Sequence, residues 1–234
     1  MNTIWNTFIY EPIYNTLVFV ASNLALKDVG IAVLIVTILI RFILMPLSKK
    51  SIISQYKMRL LQPKLDEIKS RGLSKEEESK AQFALYKTEG INPFSGCLYL
   101  LIQLPILFAL YFAFIKGINQ PEHLYSFLST EGLKNTFLGL IDITKPFLPF
   151  AILAGITQAI QAFIAPKPPT PQGEGFQAQL TKSLSMQTKY VLPIIIIFIA
   201  AKLAAAVSLY WIVTNLFSIG QELYFRKTLK LKTT

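Results

Sequence analysis

Between Asp28 and Lys49 the chain carries one charged side chain, Arg41, near the middle of "GIAVLIVTILIRFILMPLSKK". An arginine in hydrocarbon costs roughly 2.5–3.5 kcal/mol on insertion scales, so the position calls for a polar setting or a function. A guanidinium held in a medium of reduced dielectric attracts anions strongly. Thr37 lies one turn before it, and Met45 and Ser48 follow on the same side, giving a narrow polar stripe. Other apolar segments supply uncharged partners. Gln158 and Gln161 stand one turn apart, and Trp211, Thr214, Ser218 and Gln221 recur at i, i+3, i+7 and i+10, with Asn215 beside them. Gln103 lies within another segment, near Tyr99. Each of these polar groups alone could glue two helices through a hydrogen bond. Four helices presenting polar atoms beside one arginine favour a water-filled groove. Its candidate lining is Arg41, Thr37, Gln103, Gln158, Gln161, Trp211, Thr214, Asn215 and Ser218. No acidic side chain is expected within these segments to neutralise Arg41.

The chemistry this offers is binding, not catalysis. The chain has no His-Glu-x-x-His, no aspartate pair in its apolar segments and no Ser–His arrangement, because the lone His123 falls in a polar stretch. Gly173-Glu174-Gly175 begins a dinucleotide fingerprint, but Ala178 stands where the third glycine belongs and no strand precedes it. One cysteine, Cys97, excludes an internal disulfide framework and a cysteine cluster for a metal. It reads as a packing residue. No enzyme, no cofactor and no metal site is expected.

The elements that must position these residues are apolar helices. The chain has 234 residues, of which 53% are hydrophobic, and its mean hydropathy is +0.47, too high for an ordinary soluble domain. A net charge of +10 suggests nucleic acid, but basic residues also gather on the cytoplasmic side of membrane proteins. No specific nucleic-acid partner is expected. Three stretches, Val29–Leu47, Cys97–Ile115 and Phe147–Ala165, have the ~20 apolar residues a transmembrane helix needs. The run from Tyr190 to Phe225 is too long for one crossing and is interrupted by Lys202, so it reads as a hairpin of two.

The expected fold is all-α and polytopic, with five transmembrane helices around a hydrophilic groove. Residues 1–28 read as an interfacial amphipathic helix with Ile13, Leu17, Val20 and Leu24 on one face. Spans follow at 29–48, 93–116, 146–165, 190–202 and 203–224. Between them lie a helical hairpin at 49–92, an outer loop at 117–145, a Pro- and Gly-rich loop at 166–189 and a basic tail at 225–234. In the hairpin Met58, Leu61, Leu65 and Ile68 keep helical spacing, Arg71-Gly72 breaks it, and Ser74 with Glu77 forms a capping-box pattern. The loops at 48–92 and 166–189 and the tail carry ten, three and four Lys/Arg, against five elsewhere outside Arg41. That asymmetry orients the N-terminus outside and the C-terminus in the cytoplasm.

The segment around Arg41, "LYKTEGINPFSGCLYLLIQLPILFALY" after the charged hairpin, and "LYWIVTNLFSIGQ" near the end together resemble the YidC family of membrane protein insertases. The likeness covers nearly the whole chain. It implies a five-helix core whose groove opens to the cytoplasm and the lipid and is closed outside. By that resemblance the groove arginine is Arg41, a groove glutamine is Gln158, and the Leu-Tyr-Trp tryptophan is Trp211. The implied function is insertion of nascent single- or few-span proteins into the inner membrane, with the hairpin recruiting them. Its partners would be nascent membrane proteins and the lipid bilayer, with the ribosome and the Sec translocon as further candidates. The brief tail counts against a strong ribosome contact. Where the family often has Pro-Ala-Gly before Leu-Tyr-Trp, this chain has Ala204, Ala205 and Ala206, so its final hairpin is expected to turn differently. With no large outer domain or extra leading span, the chain reads as the short form. The alternative class is a small-solute or ion transporter using the same cavity; a third is a structural assembly factor.

Overall fold

A computed structural model describes residues 3–92, 95–165, 183 and 186–228, with the backbone alone at 95–100. The side chains of Cys97 and Tyr99, most of the 166–189 loop and the end of the basic tail lie outside that description. The fold is mostly helical. Its helices are α1 (Glu11–Asn23), α2 (Val29–Ile43), α3 (Met45–Leu60), α4 (Gln62–Ser70), α5 (Lys75–Thr88), α6 (Ser95–Ile115), α7 (Leu148–Ile164), α8 (Leu192–Ala200) and α9 (Ala205–Thr228). π-helical turns at Asn6–Tyr10 and Gln187–Val191 lead into α1 and α8.

Local chemistry explains where these helices begin and end. Asp28 caps α2 by accepting a hydrogen bond from the Ile31 amide at 2.9 Å. Pro46 has no amide hydrogen to give the Phe42 carbonyl and its ring crowds that carbonyl, so the helix breaks at Leu44 and α3 leaves at 60° to α2. The break therefore falls inside the expected 29–48 span, and α3 continues without interruption into the arm. Ser74 and Glu77 form a reciprocal capping box at the start of α5, which draws the Glu77 carboxyl below its usual range. Gly72 supplies the left-handed backbone (φ +65°) of the turn before it. The two limbs of the arm are held by a small core of Leu61, Leu65 and Ile91. Lys202 sits exposed in the turn between α8 and α9.

The main core lies at the Asp28 end of the bundle. Tyr10, Tyr14, Leu17, Val18 and Ala21 pack there with Val29, Val33, Leu110 and Leu209. The buried face of α1 is thus rotated from the expected one: Leu24 is 62% exposed, while Asn15 is buried. Asn15 is the reason. It donates to the His123 carbonyl and accepts from the Tyr125 amide, both at 2.8 Å, which ties α1 to the loop between α6 and α7. Tyr10 and Tyr14 add hydrogen bonds of 2.6 Å to the Gln120 side chain and the Ile118 carbonyl. Burial pushes the Tyr10 phenol up to about 12, so it remains a donor.

The same loop folds a two-stranded antiparallel turn, β1 (Thr136–Phe137) with β2 (Ile141–Asp142), against α2. Asp28 reaches it as well, accepting from the Thr136 hydroxyl at 3.1 Å and the Gly139 amide at 3.0 Å. Asp28→Ala should therefore cost about 2–4 kcal/mol, as the helix loses its cap and buried loop donors lose their acceptor. Thermal unfolding of the purified variant in detergent measures this. A change under about 0.5 kcal/mol would show that the loop holds itself.

The outward faces remain apolar. Ile152, Ile156, Ile160 and Phe163 of α7 and Ile194 and Phe198 of α8 are all more than 40% exposed. Water does not favour such contiguous surface, which marks contact with lipid or protein. Among the described residues no single helix is long and apolar enough to cross a membrane by itself; α2 and α3 reach that length and apolarity only as a bent pair.

Candidate functional site

Along α2, α7 and α9 the buried residues change character partway down each helix. Toward the Asp28 end they are Val29, Ala32, Val33 and Val36 on α2, Ala151 and Ala154 on α7, and Ala206, Leu209 and Tyr210 on α9. Farther along they become Thr37 and Arg41 on α2, Thr157 on α7, and Thr214, Asn215, Gln221 and Glu222 on α9, with Ser48 just past the bend on α3; Ala162 and Phe225 are buried apolar side chains in the same half. Antiparallel α6 follows the same rule, with Ala109, Leu110 and Ala113 at its apolar end and half-buried Gln103 toward the other. α9 packs against both α7 and α2, so the polar rows face one another. The interior is mainly apolar toward the Asp28 end, where Ser208 is the buried polar exception on α9, and richer in polar side chains toward the other.

Arg41 is 3% exposed and lies near Tyr210 on α9. Tyr210 in turn lies beside Thr214, one turn on. The packing therefore brings Arg41 and Thr214 to the same α2–α9 seam. Thr37 is buried there too, its hydroxyl donating to its own helix at the Val33 carbonyl, 2.6 Å. Trp211 is half-buried and packs against the apolar core. The Asn215 amide donates to the Ala154 carbonyl (3.3 Å) and the Thr157 hydroxyl (3.2 Å), fastening α9 to α7. Gln158 and Gln161 bond to each other at 3.1 Å, and Ser218 bonds back to Thr214. The Gln103 carbonyl oxygen, the Thr214 hydroxyl and the Gln221 amide nitrogen are buried without a hydrogen-bond partner among the described residues, as are the Ser208 and Tyr210 hydroxyls nearer the apolar end. Such atoms cost free energy in a dry interior and favour a hydrated one.

A cleft of about 120 Å³ opens at the polar end, between α3, α7 and α9. Gln161 and Ser218 line it, with Ser48, Ser51, Gln55 and Glu222. Beside it Ser48 donates to Gln221 at 3.0 Å. Glu222, 6% exposed, accepts from the Tyr56 hydroxyl at 2.6 Å and pairs with Arg226 at 3.2 Å. Arg226 also donates to the Tyr56 hydroxyl and to the Ile164 carbonyl at the end of α7. Burial and the Glu222 carboxylate push the Tyr56 phenol up to about 12. Glu222 corrects the expectation that the last segment holds no acid, although its charge is met locally by Arg226. Ser51, Gln55, Tyr56 and Arg226 were not anticipated. They belong to the arm and to the end of α9, where a charged composition reads as solvated surface.

Residues 20–232 match the family described as 60Kd inner membrane protein. The chain is 32% identical over 224 residues to the membrane protein insertase YidC of Ectopseudomonas mendocina (strain ymp), covering 95% of this chain and 35% of that one. It is 33% identical over 201 residues to the protein of that name from Clostridium tetani, covering 85% and 81%. The chain thus spans about a third of the pseudomonad relatives and most of the clostridial one. In architecture it is similar to a solved, active YidC insertase with its first transmembrane domain resolved, at a TM-score of 0.58 and 23% identity over 94% of this chain and 46% of that one.

Proposed function

The chain belongs to the YidC family of 60Kd inner membrane proteins, and from that premise we propose that it is an insertase for nascent membrane proteins. The observation that carries the reading is the division of the interior. An apolar plug, clasped by α1 and the outer loop, closes the Asp28 end; a polar, cleft-bearing half holding Arg41 opens at the other. α2, α6, α7, α8 and α9 are the five crossings, with their exposed apolar faces in lipid. At 1.5 Å per residue α2 and α7 reach only about 22–26 Å, and α8 with the π-helical turn before it about 20 Å, so the bilayer thins around them. The positive-inside asymmetry sets the Asp28 end outside and the arm in the cytoplasm.

Moving a polar tail bare across hydrocarbon is prohibitive. A half-depth hydrated groove shortens the apolar path, and Arg41 draws an acidic tail into it. The client's own apolar segment then partitions into lipid and completes the step, without a nucleotide. Gln103, Gln158, Gln161, Thr214 and Ser218 offer exchangeable hydrogen bonds along the way; Thr37, Trp211 and Asn215 shape the walls. The arm receives the client, and any ribosome or Sec contact falls on this side.

Reconstitution into liposomes tests the proposal: a short single-span client should insert, and small solutes should not flux. Solute flux without insertion would favour a transporter. Single cysteines in 120–134 should label from outside and those in 74–79 should not; the reverse pattern sinks the orientation.

A further inference from the structure

The exposed side of α3 is absorbed by neither the groove nor the arm's own core. Ser48, Ser51, Ser54 and Tyr56 bury one side of that helix. At 100° per residue the opposite side collects Pro46, Lys49, Lys50, Ile53, Lys57 and Leu60 into one arc. The three lysines and Pro46 are exposed, Leu60 is 59% exposed and Ile53 is half-buried. α3 contains no acidic residue, and among the described residues none of the three lysines makes an ion pair. Just before the bend, the outward residues of α2 are Phe42 and Ile43, 58% and 66% exposed. The surface therefore changes from bare hydrocarbon to lysine within two turns, at the point where the helix axis swings by 60°.

We propose that this arc of α3 rests on the headgroup layer of anionic phospholipid, with Lys49, Lys50 and Lys57 on phosphates and Ile53 and Leu60 in the acyl boundary. The inference rests on the membrane placement proposed above for α2. A helix leaving a span at 60° runs closer to the membrane plane than to its normal. Lysines alternating with apolar residues on one face match an interfacial helix. An RNA backbone would be matched by the lysines but not by Ile53 between them or Leu60 one turn on. Docking here fixes the arm's root at the cleft mouth while leaving its tip free.

The full chain, carrying Leu60→Cys in a Cys97→Ser background and a fluorophore at that cysteine, is reconstituted into two sets of vesicles. One is phosphatidylcholine alone and the other is phosphatidylcholine with phosphatidylglycerol. Both contain a lipid with a headgroup-level quencher. Quenching should be strong with phosphatidylglycerol, weak without it, and should fall as salt is raised. Lys49→Gln, Lys50→Gln and Lys57→Gln should each lower the ratio of docked to free arm about fivefold. Lys75→Gln and Lys80→Gln on α5 should leave it unchanged. Equal quenching in both membranes, a triple variant that docks as the parent does, or protection of the label by added RNA without lipid quenching would overturn the proposal. Client insertion is followed in the same vesicles. Insertion without quenching overturns this inference alone, whereas loss of both overturns the membrane placement and this inference with it.

Discussion

Arg41→Glu should all but abolish insertion of clients with acidic translocated tails, and Arg41→Ala should slow the same clients about tenfold. Clients with neutral tails should be spared by the alanine change. Two unit charges about 6 Å apart at an effective dielectric near 20 interact by roughly 3 kcal/mol, and water in the groove screens part of that. Arg41→Lys should retain much of the activity, because attraction requires charge and not the planar fork of a guanidinium. The rival role is structural, with Arg41 as a hydrogen-bond hub at the α2–α9 seam near Tyr210. Lysine cannot reproduce that geometry. A client series graded in tail charge, measured beside the thermal stability of each variant, separates the two. If Lys and Ala fail equally on every client and both lose stability, the electrostatic role is wrong.

The second large effect is expected far from the polar row. A Cβ built at Gly155 on α7 would stand 2.2 Å from Ile197 Cγ1, 2.6 Å from its Cδ1 and 2.9 Å from the Pro193 carbonyl oxygen on α8. Backbone packing that close leaves room for glycine alone. Gly155→Ala would gain about 1 kcal/mol of helix propensity and lose more than that to overpacking, typically ~1–3 kcal/mol, with Gly155→Val worse still. α8 rests chiefly on α7, so the expected outcome is loss of the α7–α8 contact and a lowered midpoint of thermal unfolding. Ile197→Ala removes two of the three clashing atoms and should recover part of the loss, while the Pro193 carbonyl keeps the recovery incomplete. Gly30 gives the contrast. A Cβ there would meet the Thr136 carbonyl oxygen at 2.7 Å and the backbone of Phe137, and no side-chain truncation relieves that. A Gly155→Ala protein as stable as its parent would show that α8 is free to shift.

Much of the local structure was legible in the residue order because its causes are local. The Ser74–Glu77 cap, the Gly72 turn, the break at Lys202 and the apolar periodicity each depend on neighbours within a turn or two. Arg41 and the polar rows of α7 and α9 stood out for the same reason: a polar side chain in an apolar run is conspicuous without any partner. The Pro46 bend was also in reach, yet hydropathy alone carried the expected span past it to residue 48. Burial on α1 was less accessible, because Asn15 is drawn inward by backbone groups of His123 and Tyr125 more than a hundred residues away.

The sequence by itself determined the segments, their faces and the one charge that needs explaining. Tertiary structure decided which polar groups are consumed in holding helices together and which keep unmet atoms. Asn215 is spent on Thr157, Ser48 on Gln221, and Glu222 on Tyr56 and Arg226. Gln103 and Gln221 keep atoms unmet among the described residues. The physical reason is one of range and precision. Periodicity gives the direction a side chain points from its own axis, but a hydrogen bond needs two atoms within about 3 Å. That separation is set by how α2, α3, α7 and α9 cross, and their crossing depends on close contacts such as Gly155 against Ile197 that no single stretch of sequence contains.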